Sequence, residues 1–154
     1  MIKLRSLLKP AGILSVILLV IFLTLSCVPS PSQGGPVVLI RYSGETVNQI
    51  GDSRPATGFI YLVLTLQIEN HGYGEFSTNP DRFFVTVNRI NYDIALIPFP
   101  DQMKTFGLPD GQSTKGKLAF EVPETISSWG YEPGYGAYLE RINISWIKEQ
   151  ATKT

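Results

Sequence analysis

The sequence is poor in the side chains that usually build disulfides and metal sites. Its 154 residues include a single cysteine, Cys27, and a single histidine, His71. A single cysteine excludes an intramolecular disulfide. One histidine and one cysteine are also fewer ligands than a zinc site usually has. We therefore expect no metal and no other cofactor. Lys plus Arg and Asp plus Glu number 13 each. No basic patch with interleaved aromatic residues occurs, so nucleic acid is not an expected partner.

The N-terminal segment has the pattern of an export signal. Lys3, Arg5 and Lys9 form a basic head, and an uncharged run rich in Ile, Leu and Val follows from residue 11 to residue 26. A basic head, an apolar middle and a small residue before the cleavage point are the parts of a secretory signal. We predict a hydrophobic signal helix over residues 1–26.

The end of this segment resembles a bacterial lipobox. It reads Thr24-Leu25-Ser26-Cys27, with Thr24 at the position where Leu is usual. The resemblance implies that Cys27 accepts a diacylglyceryl group and becomes a membrane anchor. The protein would then be lipid-anchored at the cell membrane or envelope, on the extracytoplasmic side. Two acyl chains suffice for stable anchoring, whereas one chain does not.

An uncleaved transmembrane anchor is the alternative. A span needs about 20 apolar residues, with a lower limit of about 17, and the uncharged run through Val28 just reaches that limit. Residues 27–36 then form a Pro/Ser/Gly tether without the positive charges that usually follow a stop-transfer segment. This composition favours the cleaved lipoprotein. Cleavage leaves ten Lys/Arg against thirteen Asp/Glu, a formal charge of −3.

Residues 37–148 are predicted to form one all-β domain, followed by a short C-terminal tail at 149–154. Alternation is clearest at 59–70, where one face carries Ile60, Leu62, Leu64, Leu66 and Ile68. Such alternation is typical of a strand with one face in a core. We predict further strands at 37–42, 83–87, 92–97, 116–122 and 138–147, and at most one helical turn at 125–129. Short strands separated by Gly/Pro turns favour an antiparallel β-sandwich.

Three segments of this domain carry a resemblance to a known family. They read GFIYLVLTLQIENHG, NPDRFFVTV and LPDGQSTKGKLAFEVPE. They resemble the telokin-like, immunoglobulin-related extracellular domain of bacterial lipoproteins, which is related to the mycobacterial immunoprotective extracellular proteins. Asp110 between Pro109 and Gly111 is a small departure from the family's Pro-Gly turn. The resemblance implies an immunoglobulin-like antiparallel β-sandwich and an envelope location. It implies no catalytic residue, because the family's biochemical role is unassigned.

The aromatic segment 129–138 is one candidate binding surface. It reads WGYEPGYGAY and places Trp129, Tyr131 and Tyr135 among glycines. Flat aromatic faces beside flexible backbone suit stacking on sugar rings or peptides. The alternative is that Trp129 and Tyr131 cap the open end of the sandwich and pack on its core.

The loop at 98–107 is the second candidate binding surface. It reads PFPDQMKTFG and carries three apolar side chains, Phe99, Met103 and Phe106, in an irregular connection. They either fold back onto the sandwich or present an adhesive patch to a partner.

These features predict a lipid-anchored extracytoplasmic binding or interaction module without catalytic activity, whose partner is another envelope protein or a glycan. An alternative from a different class is an envelope hydrolase that acts on cell-wall glycan or peptide through His71 or a carboxylate pair. His71 lies between Asn70 and Gly72, where a polar turn residue is the simpler interpretation. Thirteen acidic residues guarantee that some pair has hydrolase spacing, so such a pair is uninformative. A purely structural envelope protein is the third possibility.

Overall fold

The computed structural model describes residues 34–136 and 141–149, apart from the side chains of residues 128 and 129. The predicted signal helix, Cys27, most of the tether and the tail beyond residue 149 lie outside the described residues. Strands account for most of the described part, and the only elements besides them there are a 3₁₀ turn at Pro80–Arg82 and a four-residue helix, α1 (Ile126–Trp129). The strands are β1 (Val37–Val47), β2 (Phe59–His71), β3 (Glu75–Ser77), β4 (Phe83–Val87), β5 (Ile90–Asp93), β6 (Gly107–Pro109), β7 (Ser113–Pro123), β8 (Glu132–Tyr135) and β9 (Ile144–Lys148).

These strands form three sheets around a common core, which confirms the all-β prediction. The largest sheet has the order β7-β2-β1-β9, a second has the order β5-β4-β8, and β3 pairs with β6. Residues on one face of each main strand are almost fully buried, including Ile40, Leu62, Leu66, Val85 and Phe120. Removing one such side chain from water stabilises the fold by about 1.5–3 kcal/mol. The core therefore lies between the β1/β2/β7 face and strand β4.

The long strand β2 organises the largest sheet. Its alternation places Leu62, Leu64, Leu66 and Ile68 in the core at 1% exposure or less, as the sequence predicts. The opposite face begins buried at Tyr61 and turns polar toward the end of the strand. β1 pairs with β2 along all of its eleven residues, which explains why β1 continues past the predicted end at residue 42. The polar stretch after residue 42 is extended because β2 supplies its hydrogen-bonding partner.

The prediction of a purely antiparallel sandwich is wrong at one pairing. β9 runs parallel to β1, with Val38 opposite Ile144 and Ile40 opposite Trp146. The preceding strand, β8, is antiparallel to β4 in the other sheet. The chain therefore leaves the β5-β4-β8 sheet after Tyr135 and joins the edge of the largest sheet as β9. Such a crossover between sheets permits parallel pairing.

Two further predicted strands have different boundaries in the structure, and β8 was not predicted. β5 ends at Asp93 instead of residue 97, although Ala95 N still donates to Ala119 O at the edge of β7. The predicted strand at 138–147 begins only at Ile144 in its described part. Conversely, the Gly-rich aromatic segment contains β8. Pro133 is tolerated there because β8 is an edge strand of its sheet, where one side of the backbone needs no ladder partner.

The turn after β2 is fixed by the buried side chain of Asn70. Its Nδ2 donates to Tyr73 O and Leu108 O, each at 2.9 Å, and its Oδ1 accepts from Tyr73 N at 3.2 Å. Pro36, where the described chain approaches β1, lies against Gly72 in this turn. The chain therefore enters the domain at the end of the sheet that carries Asn70. Within residues 34–136 and 141–149, no helix has the length and apolar character needed to cross a membrane.

Candidate functional site

The candidate site is an open groove on the outer face of the largest sheet. It has a volume of about 550 Å³ and is lined by Thr65, Asp101, Lys115, Gly116 and Lys117. Its floor comes from two neighbouring strands, because Thr65 of β2 is in register with Lys117 of β7. Side chains alternate across a strand, so the two lysines share the outer face while Gly116 and Leu118 are buried. The floor is held in place by the buried inner faces of both strands.

The wall of the groove is a loop segment that runs along the edge of β7. Lys117 N donates to Asp101 O at 2.8 Å, and Met103 N donates to Lys117 O at 2.9 Å. Gly116 makes this approach possible, since a Cβ at that position would lie 2.9 Å from the Cα of Met103. Asp101 has a φ of 60°, in the left-handed region where Asp is more tolerated than most residues. Backbone hydrogen bonds thus hold the Asp101 carboxylate at the groove.

A smaller hollow of about 200 Å³ adjoins the groove and shares Asp101 and Lys115 with it. Lys104, Phe106 and Thr114 are also among its lining residues. Phe106 is 41% exposed, so an aromatic face is accessible at this end. The two hollows share the lining residues Asp101 and Lys115, and we call both hollows together the lysine groove.

The same outer face carries a charged network next to the lysine groove. Arg41 Nη1 donates to Glu69, and His71 Nε2 lies 3.4 Å from the other Glu69 carboxylate oxygen. Partial burial of Glu69 raises the pKa of its carboxyl group. Hydrogen bonds from Arg41, His71 and Gln67 and the charge of Arg41 lower this pKa by more, so the net shift is downward. Glu69 therefore stays ionised and accepts from Arg41 while it contacts His71. The contact that the structure gives His71 is thus with a carboxylate already paired to arginine.

Tyr135, one of the candidate aromatic residues, packs on the core. The Tyr135 ring lies 4.9 Å from that of Phe83 and 5.0 Å from that of Phe76, and its hydroxyl donates to Ser77 O at 2.9 Å. These contacts hold the Tyr135 ring against the core. The Trp129 side chain lies outside the described part of the chain.

Tyr131 is half-buried and lies over β1. Its ring is 6.3 Å from that of Tyr42, in an edge-to-face arrangement, and Lys148 Nζ lies 5.0 Å from its centroid. Its hydroxyl occupies the space above Gly44, where a Cβ would come within 2.3 Å of it. Burial raises the pKa of the Tyr131 hydroxyl, and the neighbouring Tyr42 raises it further by a smaller amount. The ring is therefore a cap with one accessible side.

The 98–107 loop divides its three candidate residues between core and surface. Met103 is 4% exposed and belongs to the core cluster, so it contributes only a small edge to the lining of the second hollow. It is buried because its backbone is hydrogen-bonded to β7, which brings its side chain beneath the sheet edge. Phe99 is half-buried and Phe106 is exposed. The structure thus brings Phe106 to the lysine groove and buries most of Met103.

The groove residues Thr65, Asp101, Lys115 and Lys117 were not among the sequence candidates. The alternation Lys115-Gly116-Lys117 is the signal that could have found two of them, because it predicts two ammonium groups on one face of a strand. Among the described residues, no group of three or more His, Cys, Asp and Glu side chains could hold a metal ion.

Comparison with known proteins gives one informative likeness. No family model matches the chain, and no curated protein matches it. The crystal structure of a candidate lipoprotein from Bacillus subtilis is similar, with a TM-score of 0.52 and 13% sequence identity over 64% of this chain. The chain spans 31% of the length of that protein. At this identity the likeness concerns the fold.

Proposed function

We propose that the protein is a lipid-anchored extracytoplasmic binding module without catalytic activity, built on an immunoglobulin-like sandwich and using the lysine groove to hold its ligand. The observation that carries the proposal is the groove itself, since a rigid two-strand floor and a hydrogen-bonded wall hold four polar side chains around one open space. Binding sites on pre-formed elements avoid the cost of ordering flexible groups when the ligand arrives.

Two further observations support the anchor. The basic head, apolar run and lipobox-like residues end at Cys27, and β1 begins ten residues later at Val37. The structurally similar Bacillus subtilis protein is described as a candidate lipoprotein. If extended at about 3 Å per residue, the tether would let the domain stand about 30 Å from a membrane.

The hydrolase alternative receives less support from the surroundings of His71. A general base needs a reacting group within hydrogen-bond reach, whereas His71 contacts Glu69, which Arg41 also holds. The His–Glu–Arg network instead links β1 to β2 across the outer face of the sheet. Replacing His71 by Ala should therefore leave any wall-glycan turnover in a peptidoglycan assay at the level given by the unmodified chain. Complete loss would favour the hydrolase.

The anchor is tested with the full chain expressed in a bacterium that processes lipoproteins and is fed labelled palmitate. The wild-type chain should incorporate label, lose residues 1–26 by mass and enter the detergent phase. The Cys27→Ser variant should incorporate none. Ser26→Ala is the matched control, because alanine keeps a small residue before the cut. An unlabelled, full-length wild-type chain would contradict the anchor.

The binding role is tested by sedimentation of the processed chain with isolated cell-envelope material. We expect co-sedimentation that falls when Lys117 is replaced by Gln and is unchanged when Arg54, an exposed residue outside the groove lining, is replaced by Gln. Equal binding by all three proteins would contradict the role of the groove. Loss on replacing Tyr131 alone would instead favour the aromatic segment as the binding surface.

A further inference from the structure

We infer that the lysine groove recognises the anionic groups of a polyol or glycan polymer, with Lys115 and Lys117 contacting the charges. This inference rests on the proposed binding function and specifies the chemistry of its ligand. It follows from the charge, the shape and the polar lining of the groove.

The charge of the groove is uncompensated. Lys115 and Lys117 have no carboxylate within 4.0 Å among residues 34–136 and 141–149, whereas Arg41 on the same face is paired with Glu69. Lys104 adds a third ammonium group to the lining, and Asp101 is the single acidic residue in either hollow. The local charge is therefore positive on a chain that carries an acidic excess after residue 26. Such a patch attracts anions and holds them more strongly at low ionic strength.

The shape favours a chain-like ligand over a small ion. The larger hollow of the lysine groove is open to solvent and adjoins the smaller one, with Asp101 and Lys115 in the lining of both. Lys115 and Lys117 are two residues apart on one strand, so their Cα atoms are separated by about 7 Å along β7. Two charges at this separation can each meet a different anionic group of one extended polymer.

The remaining lining suits the uncharged parts of such a polymer. Thr65 and Thr114 offer hydroxyl groups that both donate and accept hydrogen bonds, as polyol and sugar hydroxyls require. Phe106 provides an exposed aromatic face at the end of the second hollow, where a sugar ring can stack. The lining of the two hollows thus includes cationic, hydroxyl and aromatic groups.

The test uses the full processed chain in uncharged detergent micelles, so its outcome does not depend on the host membrane. Four fluorescent or immobilised probes are compared: poly(glycerol phosphate), polygalacturonate, neutral dextran and vesicles of anionic phospholipid. The first two separate phosphate from carboxylate as the source of the charge. We expect binding to at least one of them, no binding to dextran, and weakening as ionic strength rises from about 0.01 M to about 0.15 M, because the screening length falls from about 30 Å to about 8 Å.

The matched variants remove equal charge at two places. Lys115→Gln with Lys117→Gln should weaken polymer binding about tenfold, since each exposed ionic contact contributes modestly. Arg54→Gln with Arg89→Gln removes the same charge from exposed positions outside the groove and should change binding less than about twofold. Asp101→Asn should tighten binding about twofold, because it removes the one repulsive charge while Asn tolerates the same backbone angle.

Four results would overturn the inference. Equal weakening by the two double variants would mean that only net charge matters. If neutral dextran binds and its binding is lost in the Lys115/Lys117 double variant, the protein would still be a binding module, but the groove would not be specific for anions. Binding to anionic vesicles without binding to either polymer would identify a lipid surface as the ligand. If no probe binds and envelope sedimentation also fails, the proposed function falls together with the inference.

Discussion

Replacing Asn70 by Ala should destabilise the domain severely, although Asn70 is one polar residue in a turn. Its side chain is fully buried and makes three hydrogen bonds, two of them to the carbonyl oxygens of Tyr73 and Leu108. Each such bond contributes about 1 kcal/mol, and a buried acceptor left without a partner costs about 1–3 kcal/mol more. We therefore expect a loss of about 4 kcal/mol from a total of about 5–15 kcal/mol.

The assay is thermal and urea unfolding of the full chain, followed by far-UV circular dichroism. For a domain of this size the loss corresponds to a decrease in Tm of about 15 °C. Asn48→Ala, at an exposed loop position, is the matched control and should change stability by less than about 0.5 kcal/mol. A Tm decrease below about 4 °C for Asn70→Ala would refute the reasoning, because the turn would then tolerate the loss of its central amide.

The variant Asn70→Asp adds a test with a pH signature. At neutral pH its carboxylate would face two carbonyl oxygens, so it should be at least as destabilising as Ala. Burial raises the pKa of such a carboxyl in the folded state above its unfolded value. The folded state then binds the proton more tightly, and stability returns as the pH falls through the raised pKa. An Asp variant whose stability simply declines with acid would contradict this.

Three other outcomes follow from the packing and the charges. Gly44→Ala should displace the Tyr131 ring and lower stability by about 1–3 kcal/mol, measured by urea unfolding, with partial recovery in the double variant that also carries Tyr131→Ala. Met103→Ala should cost about 2–5 kcal/mol by the same measurement, because the side chain is buried. Since Arg41 and its neighbours lower the pKa of Glu69, the stability from this group is present above the unfolded pKa and is lost as pH falls through the folded pKa. The acid side of the stability profile should therefore be flatter in Glu69→Gln, and an unchanged slope would contradict the assignment.

The all-β class and the inner face of β2 could be predicted because both depend on local alternation. The length of β1 could not, since residues after Tyr42 are extended only because β2 lies beside them. The parallel entry of β9 depends on a crossover between sheets, and sequence pattern carries no information on which edge the chain reaches. The length of β1 and the parallel pairing of β9 both depend on pairing between strands that are far apart in the sequence.

The candidate site shows the same division. Lys115 and Lys117 could have been placed on one face from their spacing alone, but Asp101 reaches them only because its loop is hydrogen-bonded to β7. The same hydrogen bonding buries Met103, which the sequence left open between core and surface. Tyr135 packs on the core because β8 pairs with β4, a contact made over about fifty residues of sequence.

The position of Pro36 against the turn after β2 has a consequence for how the anchored protein would meet its surroundings. The chain arrives at one end of the sheet, so the loops at 48–58 and 124–131 lie at the other, a strand length of roughly 35 Å away. Of the residues that the structure describes, the tips of these loops would lie farthest along the sheet from an anchoring tether. The lysines lie between the two ends, on the outer face of the sheet.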